Sequence, residues 1–319
     1  MNFPFSSFNN GIQHVVEIQK PKKALDIAQF DFIKEVPAHK SLITCLLFLK
    51  DKRVATGSQD ASIKFFETKD FKCQLEIPAH ESGVTHLSQA ENGIIISCSC
   101  DCTIKLWEVN FKCFRNIGVL SGHLRWVNCA APIGIDSIVS CSDDQTVMVW
   151  DVVSHKTTKT IEFDAVVPAV HKLNNYNTIV AFSGDKVATF MNIEDNFSVL
   201  KKIPDVQCYL NNSFVETGDN KLVVGGVKVL SIIDLQTLKV VKKIENNCLS
   251  YVGSMVLLDS SNLVLGCLSS FFQFNMENMK CNGKKEEEHI TLVNSMVFYK
   301  EHYLVSASKN NLKLWKVNK

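Results

Sequence analysis

The chain has no excess of either charge: 34 Lys and Arg stand against 33 Asp and Glu, a formal net charge of +1. A protein that gathers nucleic acid or an anionic membrane by its overall field needs a strongly basic balance. The local runs Lys20-Pro21-Lys22-Lys23 and Lys201-Lys202 are too sparse to replace it, so no nucleic-acid partner is expected. Long apolar runs are missing too. No stretch approaches the roughly 20 apolar residues of a membrane-spanning helix. Met1 to Gly11 lacks both the basic start and the apolar run of a secretory signal. These absences exclude a membrane partner and lead to the expectation of a cytosolic protein, with the nucleus as a further compartment. Cys-x-x-Cys pairs are absent although there are 12 cysteines, scattered in strand-like segments such as Thr44-Cys45-Leu46 and Ile96-Ser97-Cys98. Buried reduced thiols are expected, not disulfides.

What is present is a repeat. Hydrophobic residues make up 46% of the 319 positions, enough for an extensive core. Three segments align directly: Val54 to Phe66, Ile95 to Trp107 and Ile138 to Trp150, each a small-residue strand, a polar turn with Asp, and an alternating strand ending on an aromatic. Following that last large residue through fainter copies gives Phe66, Trp107, Trp150, Met191, Ile233, Phe274 and Trp315, in steps of 41, 43, 41, 42, 41 and 41 residues. This period matches the roughly 40 to 45 residues of a four-stranded propeller blade. The fold expected is all-β: a seven-bladed β-propeller of four-stranded antiparallel blades. Residues 30–319 form the propeller and 1–29 a mobile arm, with one extra edge strand at His14 to Ile18.

On these residues the chain resembles the WD-repeat (WD40) family. The family couples a His, a Ser or Thr, an Asp and a Trp in each repeat. The pattern is fullest at His80, Asp101 and Trp107, and at His123, Asp144 and Trp150. Repeat one keeps His39 and Asp60 with Phe66 in place of Trp; repeat seven keeps His289 and Trp315, with Lys309 or Asn310 where Asp is usual. Repeats four to six have lost most of it. The resemblance gives these residues a structural role as a hydrogen-bond network, not a catalytic one. It also implies that the outer strand of the last blade comes from about Phe30 to Val36.

In that family, partners usually meet the face that carries the loops before the innermost strands. With Trp126 as reference, the equivalent positions are Leu42, Gly83, Val166, Tyr209, Tyr251 and Leu292. Trp126, Tyr209 and Tyr251 would form a partial aromatic ring around the channel mouth, with Arg125 and Asp143 adding polar specificity. The partner-binding residues expected are therefore Leu42, Arg125, Trp126, Asp143, Tyr209, Tyr251 and Leu292. Two other signals compete. Cys98, Cys100 and Cys102, with Cys45 or Cys129, suggest a thiolate metal site, but Cys100 and Cys102 flank the turn residue Asp101, and no metal or cofactor is expected. Lys284-Lys-Glu-Glu-Glu288 reads as a solvated loop between blades six and seven.

The function expected is a non-catalytic scaffold that binds a peptide or partner protein as a subunit of a larger complex. An enzyme would need convergent carboxylates, a metal set or an activated nucleophile at the channel mouth, and no such set recurs. A ubiquitin-ligase substrate receptor is the other alternative. Members of that kind often carry Arg two residues after the Trp-Asp pair, whereas Trp150-Asp151 is followed by Val152-Val153.

Overall fold

The computed structural model describes residues 29–246, 249–268, 270–285, 292–300 and 302–318. These residues form seven four-stranded antiparallel sheets, the blades of a β-propeller. The innermost strands of blades one to seven begin at Ile43, Val84, Val127, Ala169, Phe214, Val252 and Val293. The expected arm and its strand at His14 to Ile18 lie outside the described residues. Gln29–Pro37 takes the outer position of blade seven, running antiparallel to Asn311–Asn318 from Gln29↔Asn318 to Pro37↔Asn311.

Both faces of a blade pack on neighbours, so its middle strands are buried along their whole length, as at Arg53–Ser58 and Thr178–Ser183. The apolar side chains collect into seven clusters, and each cluster lies between two consecutive blades. Ile96, Ile104 and Leu106 of blade two meet Val127, Ile138 and Trp150 of blade three. Val305, Leu312 and Leu314 of blade seven meet Ile43, Val54 and Phe66 of blade one. The core is thus a ring of interfaces, and the contact of blade seven with blade one completes it.

All seven residues that mark the period occupy one register of the third strand. Phe66, Trp107, Trp150, Met191, Ile233, Phe274 and Trp315 pair with Val54, Ile95, Ile138, Ile179, Leu222, Leu263 and Leu304. Each is turned toward the preceding blade, which is why a large apolar residue recurs there while its identity varies.

Three residues beyond each of those second-strand partners, at Gly57, Cys98, Cys141, Phe182, Gly225, Gly266 and Ala307, the chain meets the next blade closely. A Cβ at Gly57 would lie 2.7 Å from Val84 Cγ1, and one at Gly225 2.6 Å from Val252 Cγ1. Small residues fit this contact, and Cys98 and Cys141 serve as such, fully buried with Cys141 Sγ 3.3 Å from Cys129 Sγ. Burial pushes both thiols well above their ordinary range. No group of three or more His, Cys, Asp or Glu among the described residues converges to hold a metal ion.

Phe182 is the exception to the small-residue rule, and it faces the irregular start of blade five. Its ring stacks on Phe214 at 5.4 Å. The inner strand of blade five is only Phe214–Thr217, while residues 208–213 leave the strand and turn toward the channel. One expectation needs correction here. Lys284 and Lys285 are not in a loop: they end the outer strand of blade six, Lys280–Lys285, opposite Phe272 and Phe271. Glu286 to Glu288 lie outside the described residues.

Candidate functional site

The blades that carry the His–Asp pattern are held by a directional relay. In blade three the Trp150 indole N–H donates to Ser140 Oγ at 2.8 Å, Ser140 Oγ lies 2.7 Å from His123 Nε2, and His123 Nδ1 lies 2.8 Å from Asp144 Oδ2. With the serine hydroxyl donating to Nε2 and Nδ1–H donating to the carboxylate, every donor and acceptor in the sequence of bonds is used and the imidazole is neutral. Burial holds the His123 pKa below its ordinary value, against the opposing pull of Asp144. The Leu124 N–H, the Thr146 N–H and the Thr146 hydroxyl also donate to Asp144. Every strong polar group in the set has a partner, so the turn is fixed and no proton carrier is left over.

Blade two repeats the set with Trp107, Ser97, His80 and Asp101 at 2.8, 2.7 and 2.8 Å. Blade one keeps Thr56, His39 and Asp60, and Phe66 removes the indole donor. In blade seven Trp315 donates to Ser306 Oγ at 2.8 Å; His289 lies outside the described residues. The acidic turn is replaced there by the tight turn Lys309-Asn310, whose Asn310 carbonyl accepts from the Ala38 and His39 N–H groups.

The face above these turns is where the remaining site residues sit. In blades one to four a turn N–H donates to the carbonyl of the residue at or just before the inner strand: Gln59 to Leu42, Cys100 to Gly83, Asp143 to Trp126 and Gly184 to Val166. That bond confirms the equivalence of Leu42, Gly83, Trp126 and Val166. In blade five the ladder Glu216↔Leu222↔Ile233 matches Pro132↔Ile138↔Trp150, so counting back places Leu210, not Tyr209, at the position of Trp126. The one-residue slip falls within 208–213, the segment that leaves the strand just before Phe214, on which Phe182 stacks.

Leu42, Trp126, Asp143, Val166 and Tyr209 line one cavity of about 430 Å³ at the channel mouth, together with Leu210, Asn211 and Asn212. Trp126 is 55% exposed and Tyr209 37%, and the Tyr209 ring stacks on Tyr251 with centroids 6.1 Å apart. Burial, with Cys208 and Tyr209 adding, raises the Tyr251 hydroxyl pKa and keeps it a donor. Tyr251 and Leu292 do not line the cavity; Leu292 packs over Gly253, where a Cβ would meet its Cδ1 at 3.0 Å. Arg125 is exposed and outside the lining, and its carbonyl accepts from Ser142 Oγ at 3.3 Å.

A second ring of residues escapes a search for aromatics. Thr44 donates to the Val84 carbonyl at 2.6 Å, Thr85 to Val127 at 2.5 Å, Asn128 to Val167 at 3.0 Å and Asn294 to Ile43 at 2.9 Å, each bond joining one blade to the next. Their signal in the sequence is a polar residue two places after the reference position. Blade four has Pro168 there, and blade five reaches elsewhere: Asn211 donates to the Asn128 carbonyl at 2.9 Å and Asn212 to the Asn294 carbonyl at 3.2 Å. Asn211 also lines a second cavity of about 710 Å³ further along the channel, with His86 and His171. His171 is bonded to Glu216 at 2.6 Å, and no hydroxyl or thiol among the described residues is hydrogen-bonded to it.

Residues 30–67, 71–108 and 114–151 each match the family model described as WD domain, G-beta repeat. A comparison with curated proteins finds no match. The matched segments end with the third strands of blades one, two and three, the blades in which His39, His80 and His123 each meet an Asp.

Proposed function

Because the chain is a WD-repeat β-propeller, a type of protein that generally binds other proteins or peptides, we propose that it is a non-catalytic scaffold whose partner docks on the mouth that carries Trp126. One observation carries this reading. Trp107, Trp150 and Trp315 are 4%, 1% and 0% exposed and spend their N–H groups on buried serines, whereas Trp126 stands 55% exposed at the edge of a cavity. A large rigid ring held in water gains more from contact with a partner than any other side chain on this face. Val166, Tyr209 and the Tyr251 ring behind it, with Leu268 at the turn of blade six, extend the apolar arc across blades three to six. Asp143 and the asparagine amides supply the few polar groups that fix orientation in such a site.

The test is capture of partners by the purified chain and by a Trp126→Ala, Tyr209→Ala, Tyr251→Ala variant of unchanged thermal midpoint. Proteins retained by the wild type and lost by the variant support the reading. Equal retention by both assigns the contact to the opposite face or the blade edges and overturns it.

A further inference from the structure

We propose that the mouth receives a cationic side chain, a lysine or arginine projecting from the partner segment; this rests on the reading of the mouth as the binding face and goes on to name the chemistry of what enters it. Asp143 is the one Asp or Glu in the lining, and no Lys, Arg or His lines the cavity. Asp143 Oδ1 accepts from Asn128 Nδ2 at 2.8 Å, which fixes the carboxylate, and Oδ2 has no donor among the described residues. The Asp143 N–H is held by the Trp126 carbonyl at 3.0 Å, so the carboxylate-bearing turn is tied directly to the residue that presents the indole.

Carboxylates gather at this part of the rim. Cys100 lines the same cavity, and its thiol pKa is raised by burial and then by the charges of Asp101 and Asp143. Asp101 and Asp144 are already engaged by His80 and His123, which leaves Asp143 as the acid available to a ligand.

Complementarity then excludes the other classes. An acidic or phosphorylated side chain entering the cavity would meet a carboxylate and no base in the lining, which Arg125 does not join. A wholly apolar segment would cover Asp143 and strip its water without replacing the lost hydrogen bonds. A lysine or arginine satisfies both parts of the wall at once: its head reaches Oδ2, and its charge is drawn to the exposed face of Trp126 while its stem covers apolar surface. Asn211 and Asn212 bridge from blade five to blades three and seven, so the mouth has a floor and admits one long side chain rather than a threaded strand.

The experiment selects short random peptides displayed on phage against the full chain, then measures synthetic copies by fluorescence anisotropy with wild type, Trp126→Ala, Asp143→Asn and Asp143→Lys, each of unchanged thermal midpoint. Selected peptides are expected to share a lysine or arginine whose replacement by norleucine weakens binding about tenfold or more. Asp143→Asn should weaken them by a similar factor, and Asp143→Lys should shift the selected residue to Glu or Asp. Peptides that need Trp126 but carry no common basic residue, or that ignore Asp143→Asn, overturn the cationic inference and leave the mouth as the binding face. Peptides indifferent to Trp126→Ala, or a library that enriches nothing, overturn both.

Discussion

The side chain of Asn211 in blade five donates to the carbonyl of Asn128 in blade three at 2.9 Å, a bond that skips blade four altogether. Thr44, Thr85, Asn128 and Asn294 join consecutive blades, whereas Asn212, like Asn211, skips one, donating to the Asn294 carbonyl of blade seven. A single intramolecular hydrogen bond of this kind contributes about 1 kcal/mol. Asn211→Ala is therefore expected to lower the thermal midpoint by only a few degrees while accelerating amide exchange selectively at residues 208–213. Uniform acceleration around the whole ring would contradict a local role for this bridge.

Phe182 is fully buried between blades four and five, so its removal should be felt more strongly. Phe182→Ala opens a cavity beside Phe214, Val206 and Cys208, and truncations of buried Phe cost about 3–5 kcal/mol. The reverse error, Gly225→Ala, forces a methyl to within 2.6 Å of Val252, an overpacking worth about 1–3 kcal/mol. Urea titrations of both variants check the order, Phe182→Ala being the less stable.

Ser140 serves two partners, Trp150 and His123. Ser140→Ala leaves a buried N–H and a buried ring nitrogen unsatisfied, at about 1–3 kcal/mol each. Ser140→Thr keeps the hydroxyl, as Thr56 does for His39 in blade one at 2.6 Å. The stability order expected from denaturant midpoints is wild type, then Thr, then Ala; an Ala variant as stable as the Thr variant would remove the relay from the account.

Acid should destabilise the protein in two stages. Burial lowers the pKa of His39 and His123, and that of His86 to about 4. Below about pH 6.5 the unfolded chain takes up protons that these folded imidazoles refuse, so stability falls as pH drops from there. At Asp60, Asp101 and Asp144 burial opposes ionisation, but the donors from Ser62, His80 and Thr146 and neighbouring N–H groups outweigh it and hold the carboxyls below their usual range. Their contribution is present above about pH 3.9 and is lost as pH falls toward the folded values. The thermal midpoint should decline between pH 6.5 and 4 and fall faster below, with a shallower first slope in His86→Gln. A midpoint that rises on acidification would contradict this.

How much of this was legible in the sequence depends on where each cause resides. Met191, Ile233 and Phe274 were found by spacing alone, because a large residue facing the preceding blade is demanded by every interface, whatever its identity. The His–Asp sets of blades one to three were legible because each lies within one repeat. Repeat spacing puts Tyr209 one residue off because blade five carries an extra residue between it and the inner strand, and only the ladder through Leu222 exposes it. Arg125 adjoins Trp126 in sequence but not in the cavity, since adjacent residues ahead of a strand need not share a direction. The polar ring of Thr44, Thr85, Asn128 and Asn294 was visible in the alignment and carries meaning only once blade order is known.

The central claim, that the mouth bearing Trp126 is the surface a partner covers, is tested most directly by fluorine NMR of the chain labelled with 5-fluorotryptophan. Its four tryptophans comprise one exposed ring and three buried ones. On adding an unlabelled captured partner, the resonance assigned to Trp126 by its loss in Trp126→Phe is expected to shift or broaden while those of Trp107, Trp150 and Trp315 stay in place. A Trp126 resonance unchanged at saturating partner would contradict the account.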